Sequence, residues 1–134
     1  MTGYDKYAIS NLIGKTITAI DGMVAGSYSV GFTCSDGSVF KMHHQQACCE
    51  SVDLNDVEGD VSDLIGSPVI VAEEASSDDM PPPDGAYAES YTWTFYRLAT
   101  AKGFVVLRWF GGSNGWYSEG VDFEQTVIPK GTTM

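Results

Sequence analysis

Hydrophobic and polar residues alternate along several short stretches of this chain. Over residues 27–34 the side chains Tyr, Val, Phe and Cys alternate with Ser, Ser, Gly and Thr, and residues 91–96 repeat the pattern with Tyr, Trp and Phe. Such period-two alternation is typical of half-buried β-strands. Turn-forming residues at 35–38 and 100–103 indicate hairpins. The pattern predicts a mainly β protein of about eight mostly antiparallel strands, in a sandwich or barrel-like arrangement.

The sequence also resembles itself. Residues 10–21, SNLIGKTITAID, are similar to residues 62–73, SDLIGSPVIVAE, and further matches follow in the same order. Fixed-order similarity of this kind indicates an internal repeat. We therefore interpret residues 10–59 and 62–121 as two pseudo-repeats, each with a short helical turn followed by strands.

The boundaries of these elements follow from individual residues. Gly14 and Gly66 suit the left-handed position after a short helical turn, and Asp60 is a suitable N-cap for the second turn. The largest insertion is a loop at about 75–88, which we expect to be mobile. A C-terminal tail is expected over about 125–134, and the whole chain is expected to form one domain.

Composition and charge narrow the class of protein. The chain has 134 residues, of which 43% are hydrophobic, enough to bury a core. Its formal net charge of −11 repels phosphate backbones, so direct nucleic-acid binding is disfavoured. No segment has the apolar length of a membrane span, and the N-terminus lacks the pattern of a signal peptide. Three cysteines, two of them adjacent, make a poor disulfide framework, so we expect a reduced cytoplasmic protein.

The stretch MHHQQACCESV, residues 42–52, concentrates reactive side chains. Strand alternation places His44 and Glu50 in phase with core residues of two successive strands. The repeat alignment gives Arg108 and Glu119 equivalent phases in the second half. Buried charges are costly unless they are paired. We therefore predict one polar cluster, in which Arg108 forms a salt bridge with Glu50 or Glu119. His44 is expected to be hydrogen-bonded nearby.

The same residues permit three kinds of chemistry. A metal site would need a set of well-spaced ligands, and no CxxC or HxxxH pair is present, so neither a metal nor another cofactor is predicted. Cys48 or Cys49 could act as a nucleophile with His44 as its base, and Glu50 with Glu119 could act as paired carboxylates. A structural role is the competing explanation. Because neighbouring strand residues point to opposite faces, Cys48 should be shielded and Cys49 accessible, with no bond between them.

A glycine-rich stretch, GGSNGWYSE at residues 111–119, favours a ligand-binding role. Its aromatic, amide and hydroxyl groups could stack on and hydrogen-bond to a planar or polar ligand. Alternatively, Asn114 and Gly115 simply form a hairpin turn. Together with the polar cluster, this stretch completes the candidate binding residues: His44, Gln46, Cys48, Glu50, Arg108, Trp109, Ser113, Asn114, Trp116, Tyr117 and Glu119.

Several motifs resemble a family of small uncharacterised proteins encoded by tailed bacteriophages. The most specific is His-x-Gln-x-Cys-Cys-Glu-Ser-Val at residues 44–52, and the resemblance covers roughly residues 10–123. The family pattern has Asp before the cysteine pair, where this chain has Ala47. The resemblance implies expression in the cytoplasm of an infected bacterium, and it implies no particular reaction.

We therefore expect a non-enzymatic phage accessory protein that binds a host target, and action against host defence is one form that this binding could take. The target would be a small polar molecule such as a nucleotide, or a host protein. One alternative is an enzyme that uses His44, Cys48 and Glu50. Another is an acidic decoy of a nucleic-acid-binding protein. A homo-oligomer is compatible with each of these readings.

Overall fold

The computed structural model describes residues 7–77, 80–83 and 88–128. Within these residues the chain forms eight strands in two four-stranded antiparallel sheets, so the predicted mainly β sandwich is confirmed. The strands are β1 (Ile17–Asp21), β2 (Ser29–Cys34), β3 (Val39–His43), β4 (Ser51–Glu58), β5 (Val71–Ser77), β6 (Ser90–Thr100), β7 (Gly103–Ser113) and β8 (Asp122–Val127). Two 3-10 turns, Ile9–Leu12 and Val61–Leu64, precede β1 and β5.

The two halves of the chain exchange their fourth strands between the two sheets. The first sheet has the order β1-β2-β3-β8, and the second has the order β5-β6-β7-β4. Each half therefore builds three neighbouring strands of one sheet and contributes its fourth strand to the other sheet. The strand orders of the two halves are the same, and the duplication itself stays a prediction. The exchange of the fourth strands is a feature that the sequence comparison does not reveal.

Equivalent hydrogen bonds fix the two 3-10 turns. The Gly14 N–H donates to the carbonyl oxygen of Val69 at 2.8 Å. In the other half, the Gly66 N–H donates to the carbonyl oxygen of Ile17 at 2.9 Å. Both glycines have positive φ, 87° and 90°, which confirms the predicted left-handed positions. The Asp60 carboxylate accepts a backbone N–H of the second turn at 3.0 Å, which confirms the predicted N-cap.

The hydrophobic core lies between the sheets and includes side chains from both. Phe40 and Met42 of β3 and Val52 and Leu54 of β4 are at most 3% exposed, as the alternation predicts. Tyr28 differs from that pattern, because it precedes β2 and is 68% exposed. The interior positions of β3 and β4 are thus set by simple alternation.

In β7 the predicted phase is wrong by one residue. Val105, Leu107 and Trp109 face the core, whereas Arg108 and Phe110 lie on the outer face of the second sheet. The stretch FVVLRWF is apolar at both odd and even positions, so its composition does not select a face. As a result, Arg108 points away from the interior of the sandwich.

In β6 the predicted phase is also reversed, for a related reason. Tyr96 and Leu98 belong to the core, while Trp93 is buried outside it, on the outer face. The Trp93 indole N–H donates to the carbonyl oxygen of Pro81 at 3.1 Å, and its ring centroid lies 5.0 Å from that of Phe110. The segment before β6 therefore covers apolar residues on the outer face of the second sheet.

The strands run further than the sequence indicates at two places. β5 extends to Ser77 and β8 to Val127, so the predicted loop at about 75–88 and the predicted tail from about 125 begin later than expected. The remaining parts of those segments that fall outside the described residues are 78–79, 84–87 and 129–134. In the part of the chain that the structure describes, no helix has the length and apolar character needed to cross a membrane.

Candidate functional site

The loop between β3 and β4 is organised around a buried histidine–glutamate pair. His44 Nε2 lies 2.7 Å from Glu50 Oε2, and His44 Nδ1 lies 2.7 Å from the carbonyl oxygen of Gly120. The two side chains are 3% and 0% exposed. The prediction that His44 is hydrogen-bonded beside Glu50 is therefore confirmed.

Glu50 also closes the loop that contains it. Its carboxylate accepts the backbone N–H groups of Ala47 and Cys48, each at 2.8 Å. The Gln46 side-chain amide donates to the backbone carbonyls of Glu50 and Cys48, at 2.5 and 3.1 Å. The hydrogen bond from His44, with those from the backbone, lowers the pKa of Glu50 to about 2. Because the side chains of His44 and Glu50 are both hydrogen-bonded and buried, the pair holds the loop in place and offers no free acid or base.

Replacing Glu50 with Gln should lower the melting temperature at neutral pH and have less effect in acid. The ordinary pKa of this carboxyl is 4.5, and the folded protein lowers it to about 2. Because the carboxyl has a lower pKa in the folded protein than in the unfolded chain, it stabilises the fold fully when the pH is above the unfolded-chain pKa. This stabilisation is lost as the pH falls through the pKa of the folded protein. Thermal melts across this window should therefore show the difference between wild type and Glu50→Gln shrinking as the pH falls.

Asp36 provides a matched comparison for this pH series. Hydrogen bonds from Lys15 and Ser38 lower the pKa of Asp36 to about 2. Asp36→Asn should therefore show the same direction of pH dependence, and the effects of the two substitutions should add, because the sites are separate. A difference for Glu50→Gln that stays constant from pH 4.5 to pH 2 would contradict the assigned role of Glu50.

Cys48 and Cys49 are joined by a disulfide between adjacent residues. Both are exposed and lie in a bend, so the predicted shielding of Cys48 and the predicted absence of a bond are wrong. Strand alternation does not govern side chains outside a strand. Cys34 is buried in the core, and burial raises the pKa of its thiol. None of the three cysteines, all within the described residues, therefore presents an accessible thiol while the disulfide is closed.

Thiol labelling tests this disulfide directly. Folded protein prepared without reductant should take up no iodoacetamide at Cys48 or Cys49. After treatment with dithiothreitol, both should be alkylated, because both are exposed. Peptide mass spectrometry measures the two states, and buried Cys34 serves as an internal control that reacts only on unfolding. Labelling of either neighbour before reduction would show that the bond is absent.

The loop between β7 and β8 has an equivalent internal contact. Glu119 accepts a hydrogen bond from the Thr92 hydroxyl at 2.9 Å and another from the Ser113 hydroxyl. Ser113 precedes Glu119 by 6 residues, as His44 precedes Glu50. The two glutamates therefore occupy corresponding loops, and each is held by a side chain from the start of its own loop.

Arg108 does not take part in either of these contacts. It pairs with Asp56 on the outer face of the second sheet, where the two side chains are 37% and 41% exposed. The predicted salt bridge of Arg108 with Glu50 or Glu119 is therefore wrong, because the phase of β7 places Arg108 outward. Exposed pairs of this kind contribute roughly 0–1 kcal/mol. Arg108 is thus a surface residue of the sheet.

The candidate tryptophans lie in different environments. Trp109 is 0% exposed in the core, whereas Trp116 is 85% exposed in the β7–β8 loop. The Asn114 side chain accepts the backbone N–H of Trp116 at 3.0 Å, and Gly115 has a φ of 94°. Because β7 and β8 belong to different sheets, this stretch connects the sheets and is not a hairpin turn.

A cavity of about 590 Å³ lies on the outer face of the second sheet. β4 lines it with Ser51, Asp53 and Asn55, which alternate with the core-facing residues of that strand. β7 lines it with Phe110 and Gly112. Further lining residues come from the end of β7 and from the loops that follow β3 and β7: Ser113, Cys49, Glu50, Asn114 and Tyr117.

The segment before β6 forms a third wall of the cavity. Pro83, Ala88 and Glu89 line it from this side. Gly112 permits the close approach of this wall, because a Cβ at Gly112 would lie 2.9 Å from the Cβ of Ala88. The cavity is thus bounded by the sheet below and by a chain segment in which Pro81 also contacts Trp93 on the outer face.

The cavity brings together only part of the predicted site. Glu50, Ser113, Asn114 and Tyr117 line it. The other candidates lie outside its lining: His44, Gln46, Cys48, Arg108, Trp109, Trp116 and Glu119. Sequence reasoning missed the outward row of β4 and the aromatic floor at Phe110. The alternation S-V-D-L-N at residues 51–55 does predict an outward polar row, but it does not indicate that β4 lies beside β7.

The described residues contain no group of three His, Cys, Asp or Glu side chains that could hold a metal ion. The fold and the cavity define a small β-sandwich protein with a polar, aromatic-floored pocket on the outside of one sheet. The chain belongs to the DUF7448 family, a domain of unknown function whose model matches residues 10–123. No curated protein and no solved structure matches the chain.

Proposed function

We propose that the protein is a non-enzymatic binding protein that takes a small polar ligand into the cavity on the second sheet. The supporting observation is the lining of that cavity. Phe110 and Tyr117 offer aromatic surface, and Ser51, Asn55 and Asn114 offer hydroxyl and amide groups. Small-molecule sites typically combine apolar walls with a few polar groups, in volumes of roughly 300–1,000 Å³. The cavity of about 590 Å³ falls within that range.

Two observations favour binding over catalysis. Both ring nitrogens of His44 are engaged, and the carboxylate of Glu50 is occupied by its own loop. While the disulfide between Cys48 and Cys49 is closed, neither sulfur can act as a nucleophile, and after its reduction His44 would still be bonded to Glu50 and Gly120. We therefore assign a structural role to the histidine, glutamate and cysteines of the β3–β4 loop. They hold this loop in the shape that forms one wall of the cavity.

The biological setting that we propose is an infected bacterial cytoplasm. The resemblance of residues 44–52 to bacteriophage proteins supports an accessory protein that acts on a host target. That target is a small host molecule bound in the cavity. A host protein is the second candidate, and it is favoured by Trp116, which is 85% exposed.

A thermal-shift panel of nucleotides, amino acids and amines tests the cavity. A ligand at about 100 times its dissociation constant should add roughly 2.7 kcal/mol of stability and raise the melting temperature by several degrees. Ser51→Phe should abolish this shift, because the added ring fills the cavity from an exposed strand position.

Ser29→Phe is the matched control, since it makes the same change at an exposed position on the first sheet. It should leave the ligand-induced shift intact. The proposal fails if no compound of the panel stabilises the protein, or if both variants respond to ligand as wild type does.

A further inference from the structure

The cavity carries negative charge that no cationic side chain of its described lining neutralises. Asp53 lines it from β4 and is half-buried, and Glu89 stands at its exposed rim. Among the described residues that line the cavity, none is Lys, Arg or His. Burial also raises the pKa of the Asp53 carboxyl, which shows that the site desolvates this group.

Unlike Asp53, the neighbouring carboxylates have His or Arg partners. Glu50 is held by His44, and Asp56 on the same strand as Asp53 pairs with Arg108. Asp53 has no such cationic partner among the described residues. A partly buried carboxylate without a counter-charge is costly, and a bound cation would relieve that cost.

The other polar groups of the cavity suit the same kind of ligand. Ser51 and Asn55 lie on the same outward face of β4 as Asp53 and can each supply an acceptor oxygen. An ammonium group carries three donors and no acceptor, so it could be shared between these oxygens. Phe110 and Tyr117 add aromatic surface to the lining, and aromatic rings attract cations and pack against flat groups.

We propose that this cavity binds a small organic cation, with its ammonium group at Asp53 and its flat or apolar part against Phe110 and Tyr117. The inference rests on the proposed binding function and names the chemical class of the ligand. Phosphorylated ligands are disfavoured by the same carboxylates, since like charges repel in a partly desolvated site. A nucleotide is therefore a poorer match to the cavity than an amine.

Three probes that share one ring and differ in charge test the inference. Tyramine carries an ammonium group, tyrosol a neutral hydroxyl, and 4-hydroxyphenylacetate a carboxylate. Isothermal titration calorimetry at neutral pH should give tyramine an affinity at least about tenfold above that of tyrosol, with no measurable binding of the acid. Equal affinity for tyramine and tyrosol, or binding of the acid, would overturn the assignment.

Asp53→Asn is the diagnostic variant, because it removes the charge and keeps the shape. It should reduce tyramine affinity about tenfold and leave tyrosol unchanged. Asp21→Asn makes the same change at an exposed position of the first sheet and should leave both affinities as in wild type. An unchanged tyramine affinity in Asp53→Asn would overturn the role of Asp53.

A further variant keeps the test decisive if Asp53→Asn does not fold. Glu89→Gln, at the exposed rim, should cause a smaller loss of tyramine affinity that added salt removes. Failure of all three probes, while only panel compounds without a net positive charge bind, would reject the cationic ligand and keep the proposed function. Failure of every compound would reject both.

Discussion

Replacing Leu12 or Leu64 with Ala should lower the free energy of unfolding by about 2–5 kcal/mol in each case. The two leucines end the two 3-10 turns, and both are 0% exposed. Truncation removes buried methyl groups and leaves a cavity that the surrounding chain fills only in part. Urea denaturation followed by circular dichroism would give both values.

The Leu12→Ala and Leu64→Ala variants should also lose similar amounts of unfolding free energy. Each leucine precedes a glycine whose N–H bonds to the opposite half, at 2.8 Å for Gly14 and 2.9 Å for Gly66. Leu→Ala costs at unrelated sites spread over more than 2 kcal/mol, so agreement within about 1 kcal/mol would indicate equivalent environments. Ile13→Ala is the control, because Ile13 is 49% exposed and should cost much less. Losses that differ as widely as those at unrelated sites would argue against structural equivalence of the halves.

Gly111→Ala should destabilise the protein by about 3 kcal/mol or more. A Cβ at this position would lie 2.2 Å from the carbonyl oxygen of Glu119 and 3.0 Å from its carbonyl carbon. These are backbone atoms, so the conflict cannot be relieved by turning a flexible side chain. The β7–β8 loop would have to move away from the sheet, taking Glu119 from Thr92 and Ser113.

Gly112→Ala is the matched control for this substitution. Its added Cβ would meet the side-chain Cβ of Ala88 at 2.9 Å, a milder conflict than the 2.2 Å approach to a carbonyl oxygen at Gly111. Chemical denaturation of both variants should therefore rank Gly111→Ala as clearly the less stable. Equal stabilities would mean that the β7–β8 loop is not fixed against β7.

Alternation succeeds where only one face of a strand is apolar. Val52 and Leu54 are separated by polar residues, and their burial follows from the pattern alone. It fails in β7, where FVVLRWF offers apolar residues to both faces. Part of this second apolar face is contacted by the segment before β6, where the carbonyl oxygen of Pro81 accepts the Trp93 indole N–H. Such a tertiary cover leaves no periodic signal in the strand itself.

The candidate site was predictable only in its local part. The contact of His44 with Glu50 joins residues close in sequence, and it follows from strand phase and the cost of a buried carboxylate. The cavity depends on β4 lying beside β7, which is a pairing between halves. The disulfide depends on a bend at Cys48 and Cys49, which alternation does not describe. Long-range pairing and irregular backbone therefore account for what was missed.

The exchange of β4 and β8 has a consequence for how such a chain could have arisen. Neither half can complete a sheet from its own strands, since each sheet takes its fourth strand from the other half. If the halves descend from one shorter polypeptide, that ancestor could form this sandwich only as a homodimer that swapped its last strand. Fusion of two copies would then have freed them to diverge. The cavity would then reflect such divergence, because its third wall comes from the connection between β5 and β6, residues 78–89, which is longer than the corresponding connection between β1 and β2, residues 22–28.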